Sequence, residues 1–141
     1  MKPITTFLFI IIAFSPLLGC SDATPARNAV TGDYEAARQV IFEYWDACNR
    51  YDLEGALAYY EDTYREQERE EVANDVRNLE RFHVTLTVEE VSEPALISEE
   101  KVELKIILGT PIGAKYLKYH LLKVDGKWKI CEETSYEPED K

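Results

Sequence analysis

Residues 101–134 read KVELKIILGTPIGAKYLKYHLLKVDGKWKICEET, and their period decides the fold. Val102, Leu104, Ile106 and Leu108 face one way, opposed by Lys101, Glu103 and Lys105, which is the alternation of a half-buried strand. Gly109-Thr110-Pro111-Ile112-Gly113 is turn-rich and returns the chain into Tyr116–Val124. Asp125-Gly126 suits a tight type I′ turn before Lys127–Thr134. Just upstream, Phe82, Val84, Leu86 and Val88 alternate with His83, Thr85, Thr87 and Glu89, predicting another strand that Ser92-Glu93-Pro94 interrupts.

Ahead of Phe82 the period lengthens. Tyr34, Ala37, Val40, Ile41, Tyr44, Trp45 and Cys48 recur at three- and four-residue spacing, predicting a helix that Asp33 caps. Asn49-Arg50-Tyr51-Asp52 breaks it, and Asp52 caps a short second helix carrying Leu53, Ala56, Leu57 and Tyr60. A third, very polar helix lies within Tyr64–Leu79, with Val72, Val76 and Leu79 as a narrow buried stripe and its charges read as a solvated face. Three helices followed by a mainly antiparallel sheet of about four strands is an α+β architecture, not a doubly wound one.

Length and charge bound the rest. The chain has 141 residues, room for one compact domain, placed at 33–141. Residues 20–32, with Pro25, Asn28 and little periodicity, read as a short tether, and residues 1–19 as a leader. Charged residues are 30% and hydrophobic residues 45%, which excludes a disordered chain and a multi-span membrane protein. Asp and Glu total 27 against 16 Lys and Arg, a formal charge of −11, and that field repels a phosphate backbone, so nucleic acid is excluded as a partner.

Helix order, the Asn49–Leu57 junction and the hairpin Val124-Asp125-Gly126-Lys127-Trp128-Lys129-Ile130 together resemble the NTF2-like superfamily of cystatin-like α+β cones, over Asp33–Thr134. That resemblance implies three N-terminal helices covering a curved sheet, with a cavity between them. It makes Tyr44, Tyr60, Phe82 and Trp128 candidate pocket residues for a small hydrophobic ligand, although the same side chains are needed to fill a core. It also admits ketosteroid-isomerase-like or polyketide-cyclase-like chemistry, which needs a buried carboxylate or imidazole facing a donor. No matching Tyr/Asp pattern is present. Of the two histidines, His83 lies on the polar phase of its predicted strand, and His120 is read either as structural or as entering the cavity.

No paired Cys or His motif, EF-hand loop or glycine-rich phosphate loop occurs, so neither a metal site nor a cofactor is expected. A binding module for an envelope protein competes with the ligand reading, and a purely structural or dimerisation module is a further alternative. Leu117, Tyr119 and Leu121 either cover an outer sheet face as a homodimer interface or lie beneath another element.

The leader MKPITTFLFIIIAFSPLLGC combines Lys2 with an apolar run shorter than the roughly 20 residues of a membrane span. Its end, Leu17-Leu18-Gly19-Cys20, resembles the lipobox of bacterial lipoproteins. The resemblance implies cleavage before Cys20, diacylglycerol on its sulfur and further acylation (palmitate, for example) of the new amine, anchoring the chain to a lipid bilayer. Ser21 in place of Asp then implies the periplasmic face of the outer membrane in a two-membrane organism. With Cys20 acylated, Cys48 and Cys131 either form a disulfide stapling helix to sheet or stand as separate thiols, since Cys131 is out of phase with Trp128 and Ile130 unless a bulge intervenes. Intact-mass analysis of native membrane material is expected to show loss of residues 1–19 plus added acyl mass. An unmodified chain retaining Met1 would refute the anchor.

Overall fold

The structure is a computed structural model that describes residues 24–139, with side chains from Gly32 onward. The leader and Cys20 lie outside the described residues. Helix α1 (Thr24–Asn49) is followed by α2 (Leu53–Leu57) and α3 (Asp62–Phe82). Strands β1 (Thr87–Val91), β2 (Ala95–Ser98), β3 (Lys101–Thr110), β4 (Gly113–Val124) and β5 (Lys127–Ser135) complete the chain. Among the described residues no helix is long and apolar enough to cross a membrane.

Helix α1 begins well before Asp33 and runs through residues 24–32, expected as tether. Pro25 falls in the first turn, where its missing N–H costs nothing. Asp33 is therefore not a cap. Its carboxylate accepts both contacts from Lys123 Nζ at 2.8 and 2.9 Å, and its carbonyl accepts the Trp128 indole N–H at 3.0 Å. These bonds fasten the front half of α1 to the β4–β5 hairpin. Asp52 does cap α2, its carboxylate accepting from the Gly55 amide at 2.9 Å. The stripe Val72, Val76 and Leu79 is the buried face of α3.

The sheet is antiparallel with the order β1-β3-β4-β5, and β2 also pairs with β3. β1 pairs with the second half of β3 (Val88↔Leu108, Val91↔Ile106) and β2 with the first (Ala95↔Glu103), so the two form one interrupted edge. Ser92 bridges the interruption: its amide donates to Lys105 O at 2.8 Å, and its Oγ accepts the Lys105 amide at 2.9 Å. All four residues of β2 are exposed, so they leave no burial alternation, and the sheet has five strands rather than four. The Asp125-Gly126 turn has φ of 50° and 76°, the left-handed pair that a type I′ hairpin requires.

The strand expected from Phe82 starts at Thr87. α3 persists through Phe82 and His83 closes it at φ 51°, a left-handed helix stop. Val84 and Leu86 keep their inward phase and pack on the core, but no strand pairs with them. Asn49 takes that role: its Nδ2 donates to Leu86 O at 2.8 Å and its Oδ1 accepts the Leu86 amide at 2.9 Å.

Helices and sheet enclose Ile41, Leu57, Leu104, Ile106, Leu121 and Ile130, all essentially inaccessible. Leu117, Tyr119 and Leu121 lie in this core. They are covered from within the fold and do not form an outer sheet face, the second of the two readings above. The free edge of β5 is closed by the α2–α3 connection: the Ile130 amide donates to Tyr59 O and the Glu61 amide to Ile130 O, both at 2.8 Å. Asp33→Ala removes the link between α1 and the hairpin at a half-buried site. Urea unfolding is expected to show a loss of about 1–2 kcal/mol, most of it absent when Lys123→Met is already in place.

Candidate functional site

The site begins with a slip in the β4–β5 ladder. Pairing runs in register from Val124↔Lys127 to Leu121↔Ile130, then resumes as His120↔Glu132 and Tyr119↔Glu133, leaving Cys131 as the extra residue of a β-bulge. Trp128 and Ile130 point inward before the slip. Simple alternation would next bring Glu132 inward. The bulge brings Glu133 instead, opposite the fully buried Tyr119. Tyr64 of α3 holds it there, its hydroxyl accepting the Glu133 amide at 2.9 Å.

Glu133 faces a cleft with two lobes. An apolar lobe of 490 Å³ lies between α1, α3 and the β3–β4 end of the sheet, lined by Cys48, Leu79, Leu86, Leu108, Ile112 and Leu117 among others. An acidic, aromatic lobe of 350 Å³ is lined by Tyr60, Tyr64, Glu68, Glu71, Glu132 and Thr134. Tyr44, Trp45, Val72, Asp75 and Glu133 belong to both. The aromatic wall is a run of contacts. Tyr44 stacks on Tyr60 at 5.3 Å between centroids and Tyr60 on Tyr64 at 5.1 Å, while Tyr44 meets Trp45 edge-on at 5.1 Å. The Tyr44 and Tyr60 hydroxyls share a hydrogen bond of 3.0 Å.

Burial sets the electrostatics. It pushes the Glu133 carboxyl above the usual carboxylate range, and Asp75 and Glu71 reinforce the shift; Tyr119 and Lys115 oppose it. Partial desolvation at the rim also raises Asp75, against the pull of Lys115, and desolvation followed by Glu71 raises Glu68. Burial pushes the Cys48 thiol up to about 12, so it stays protonated at neutral pH and is no nucleophile. Two buried donors have no partner among the described residues beyond Arg38 Nε: the Trp45 indole N–H and the Tyr119 hydroxyl. The Tyr119 hydroxyl approaches the Glu133 carboxyl without closing a hydrogen bond of normal geometry.

The structure distributes the sequence candidates unevenly. Tyr44 and Tyr60 meet in the cleft. Phe82 does not: it is 63% exposed, because α3 continues through it and turns it outward. Trp128 lines a different, polar cleft between α1, α2 and the hairpin, with its N–H held by Asp33. Cys48 and Cys131 are free thiols, Cys48 on the apolar lobe and Cys131 in the bulge with its Sγ–H donated to His120 O at 3.4 Å. His83 is the exposed helix stop. His120 stays out of the cleft, clamped on the outer sheet face between Glu132 at Nδ1 and Glu103 at Nε2, the latter at 3.1 Å. Among the described residues no group of three His, Cys, Asp or Glu can hold a metal ion.

Three acidic site residues, Glu68, Glu71 and Asp75, were hidden among charges read as solvated. Tyr64, Glu68, Glu71 and Asp75 recur at four, three and four residues, one stripe of α3 beside its buried stripe, and that spacing is the available signal. Glu133 has no such signal, because the bulge that turns it inward has no mark in the sequence.

Solved structures place the architecture. A protein of unknown function with a cystatin-like fold from Nostoc punctiforme superposes with a TM-score of 0.56 at 13% identity, covering 68% of this chain and 84% of that one. A domain of unknown function from the same organism, also cystatin-like, gives 0.57 at 18%, covering 77% and 80%. An NTF2-like protein of unknown function from Shewanella baltica gives 0.51 at 13%, covering 73% and 91%. The fold is NTF2-like. No family model matches the sequence, and no curated protein matches it significantly. At these identities the likeness carries the architecture alone.

Because Glu133 keeps its proton to a higher pH folded than unfolded, the folded state binds more protons in that interval. Stability therefore falls as pH rises from the unfolded carboxylate value of about 4.3 through the raised folded one. Glu133→Gln removes this penalty. Thermal melts across pH 4–8 are expected to show the variant matching the parent at the acid end, exceeding it near neutrality, and varying less with pH.

Proposed function

We propose that this chain is a cell-envelope binding protein, lipid-anchored through Cys20, that holds a small hydrophobic or amphipathic molecule in the two-lobed cleft. The cleft carries the reading. An apolar lobe of 490 Å³ opens beside an aromatic wall and a few convergent polar groups, within the size and character of small-molecule sites. The anchor is supported by Leu17-Leu18-Gly19-Cys20 and the short apolar leader before it, and Ser21 favours the outer membrane. Two or three acyl chains give durable attachment, at roughly 0.8 kcal/mol per buried methylene.

A second reading has one observation in its favour. A desolvated carboxyl held above its usual range beside an unpartnered phenol is the equipment of general acid–base catalysis. It adds a proton transfer to binding, so it requires Glu133, whereas binding of a neutral probe does not.

Val72 lies on both lobes and on the buried face of α3. Val72→Phe fills the junction. Fluorescence titration with N-phenyl-1-naphthylamine is expected to show saturable binding to the parent and at least about tenfold weaker binding to the variant, a loss of about 1.4 kcal/mol. Circular dichroism melts confirm that the variant is folded. Equal binding by both chains would overturn the cleft as the site.

A further inference from the structure

The acidic lobe carries more than a general capacity to bind. Glu68, Glu71 and Asp75 from α3 meet Glu133 from β5 around it, the Glu132 carboxylate being turned to His120, and no lining residue is basic. Some acids of this chain have cationic partners: Asp33 has Lys123, Glu54 has Arg69, and Asp62 has Arg65. Among the described residues Glu68, Glu71, Asp75 and Glu133 make no ion pair. Such a set repels itself. Among the described residues no three of these groups are placed to hold one metal ion.

The same lobe is lined by aromatic rings. Tyr44, Tyr60 and Tyr64 stack in series, which covers both faces of Tyr60 and leaves the half-buried end ring, Tyr64, to meet an organic cation through its quadrupole. A second observation points the same way. The Trp45 N–H, the Tyr119 hydroxyl and the Glu133 carboxyl lie in succession, and neither buried donor is used. A cation at Glu133 fixes the carboxyl as the anion. Tyr119 then donates to it and Trp45 to the Tyr119 oxygen, closing two hydrogen bonds. The adjoining apolar lobe has room for a hydrocarbon body.

We propose that the cleft selects an amine-bearing amphiphile, its ammonium group between Glu133 and Asp75 against the tyrosine wall and its apolar body in the larger lobe. This rests on the ligand-binding reading above and narrows it to a substrate class. Glu133 supplies the principal counter-charge, Asp75 the second at the rim, and Lys115, beside the apolar lobe, disfavours a second positive group there.

The test compares three compounds of one chain length, decylammonium, decanol and decanoate, each displacing N-phenyl-1-naphthylamine from the full chain at pH 7 and below its micellar concentration. Decylammonium is expected to bind at least about tenfold more tightly than decanol, with decanoate weakest. Asp75→Asn with Glu133→Gln should abolish that preference, decylammonium then binding no more tightly than decanol. Glu66→Gln with Glu70→Gln, on the outer face of α3, should leave it intact, which separates the site from the general negative field. Equal affinity for decylammonium and decanol, or a preference that survives the cleft variant, overturns amine selection while the binding reading stands. Failure of the probe and all three compounds to bind overturns both.

Discussion

Between Leu121↔Ile130 and His120↔Glu132 the pairing of β4 with β5 gains one residue, and the chemistry of the cleft depends on that slip. Before it, β5 contributes Trp128 and Ile130 to the interior; after it, a carboxylate. Tyr64 and the α2–α3 connection secure the bulged strand from its open side, so the helices fix the edge of the sheet as well as covering its face. A continuous ladder would send Glu133 to solvent and bring Glu132 inward. The aromatic wall would remain, facing a different pair of groups.

The arrangement works against stability. Desolvated carboxyls that repel one another favour the unfolded chain as they ionise, and among the described residues the Trp45 and Tyr119 donors are buried without partners, a cost to folding. The core supplies the compensation, with nine large side chains essentially sealed from water. Local conflict of this kind collects at functional positions, where the fold serves something other than its own stability.

Much of the architecture was legible because it follows from period and turn chemistry. The switch from helical to alternating spacing near Phe82 separates helices from sheet, Asp125-Gly126 sits at a turn only left-handed residues satisfy, and Val72, Val76 and Leu79 mark the face α3 buries. The failures have physical causes. β2 is exposed throughout and so has no alternation to read. Phe82 keeps the inward phase of a strand that the backbone does not form there. Tyr44, Tyr60 and Trp128 all point inward, but one interior borders separate clefts, and side-chain phase alone does not distinguish them. The acids of α3 resemble a solvated surface until the bulge places Glu133 across from them.

The length of β4 has a geometric consequence. Its twelve residues span about 36 Å, from the Pro111-Ile112 turn beside the apolar lobe to the Asp125-Gly126 turn against which Asp33 is fastened. Helix α1 runs the same distance in the opposite sense, so the chain enters the fold at one pole and the cleft opens at the other.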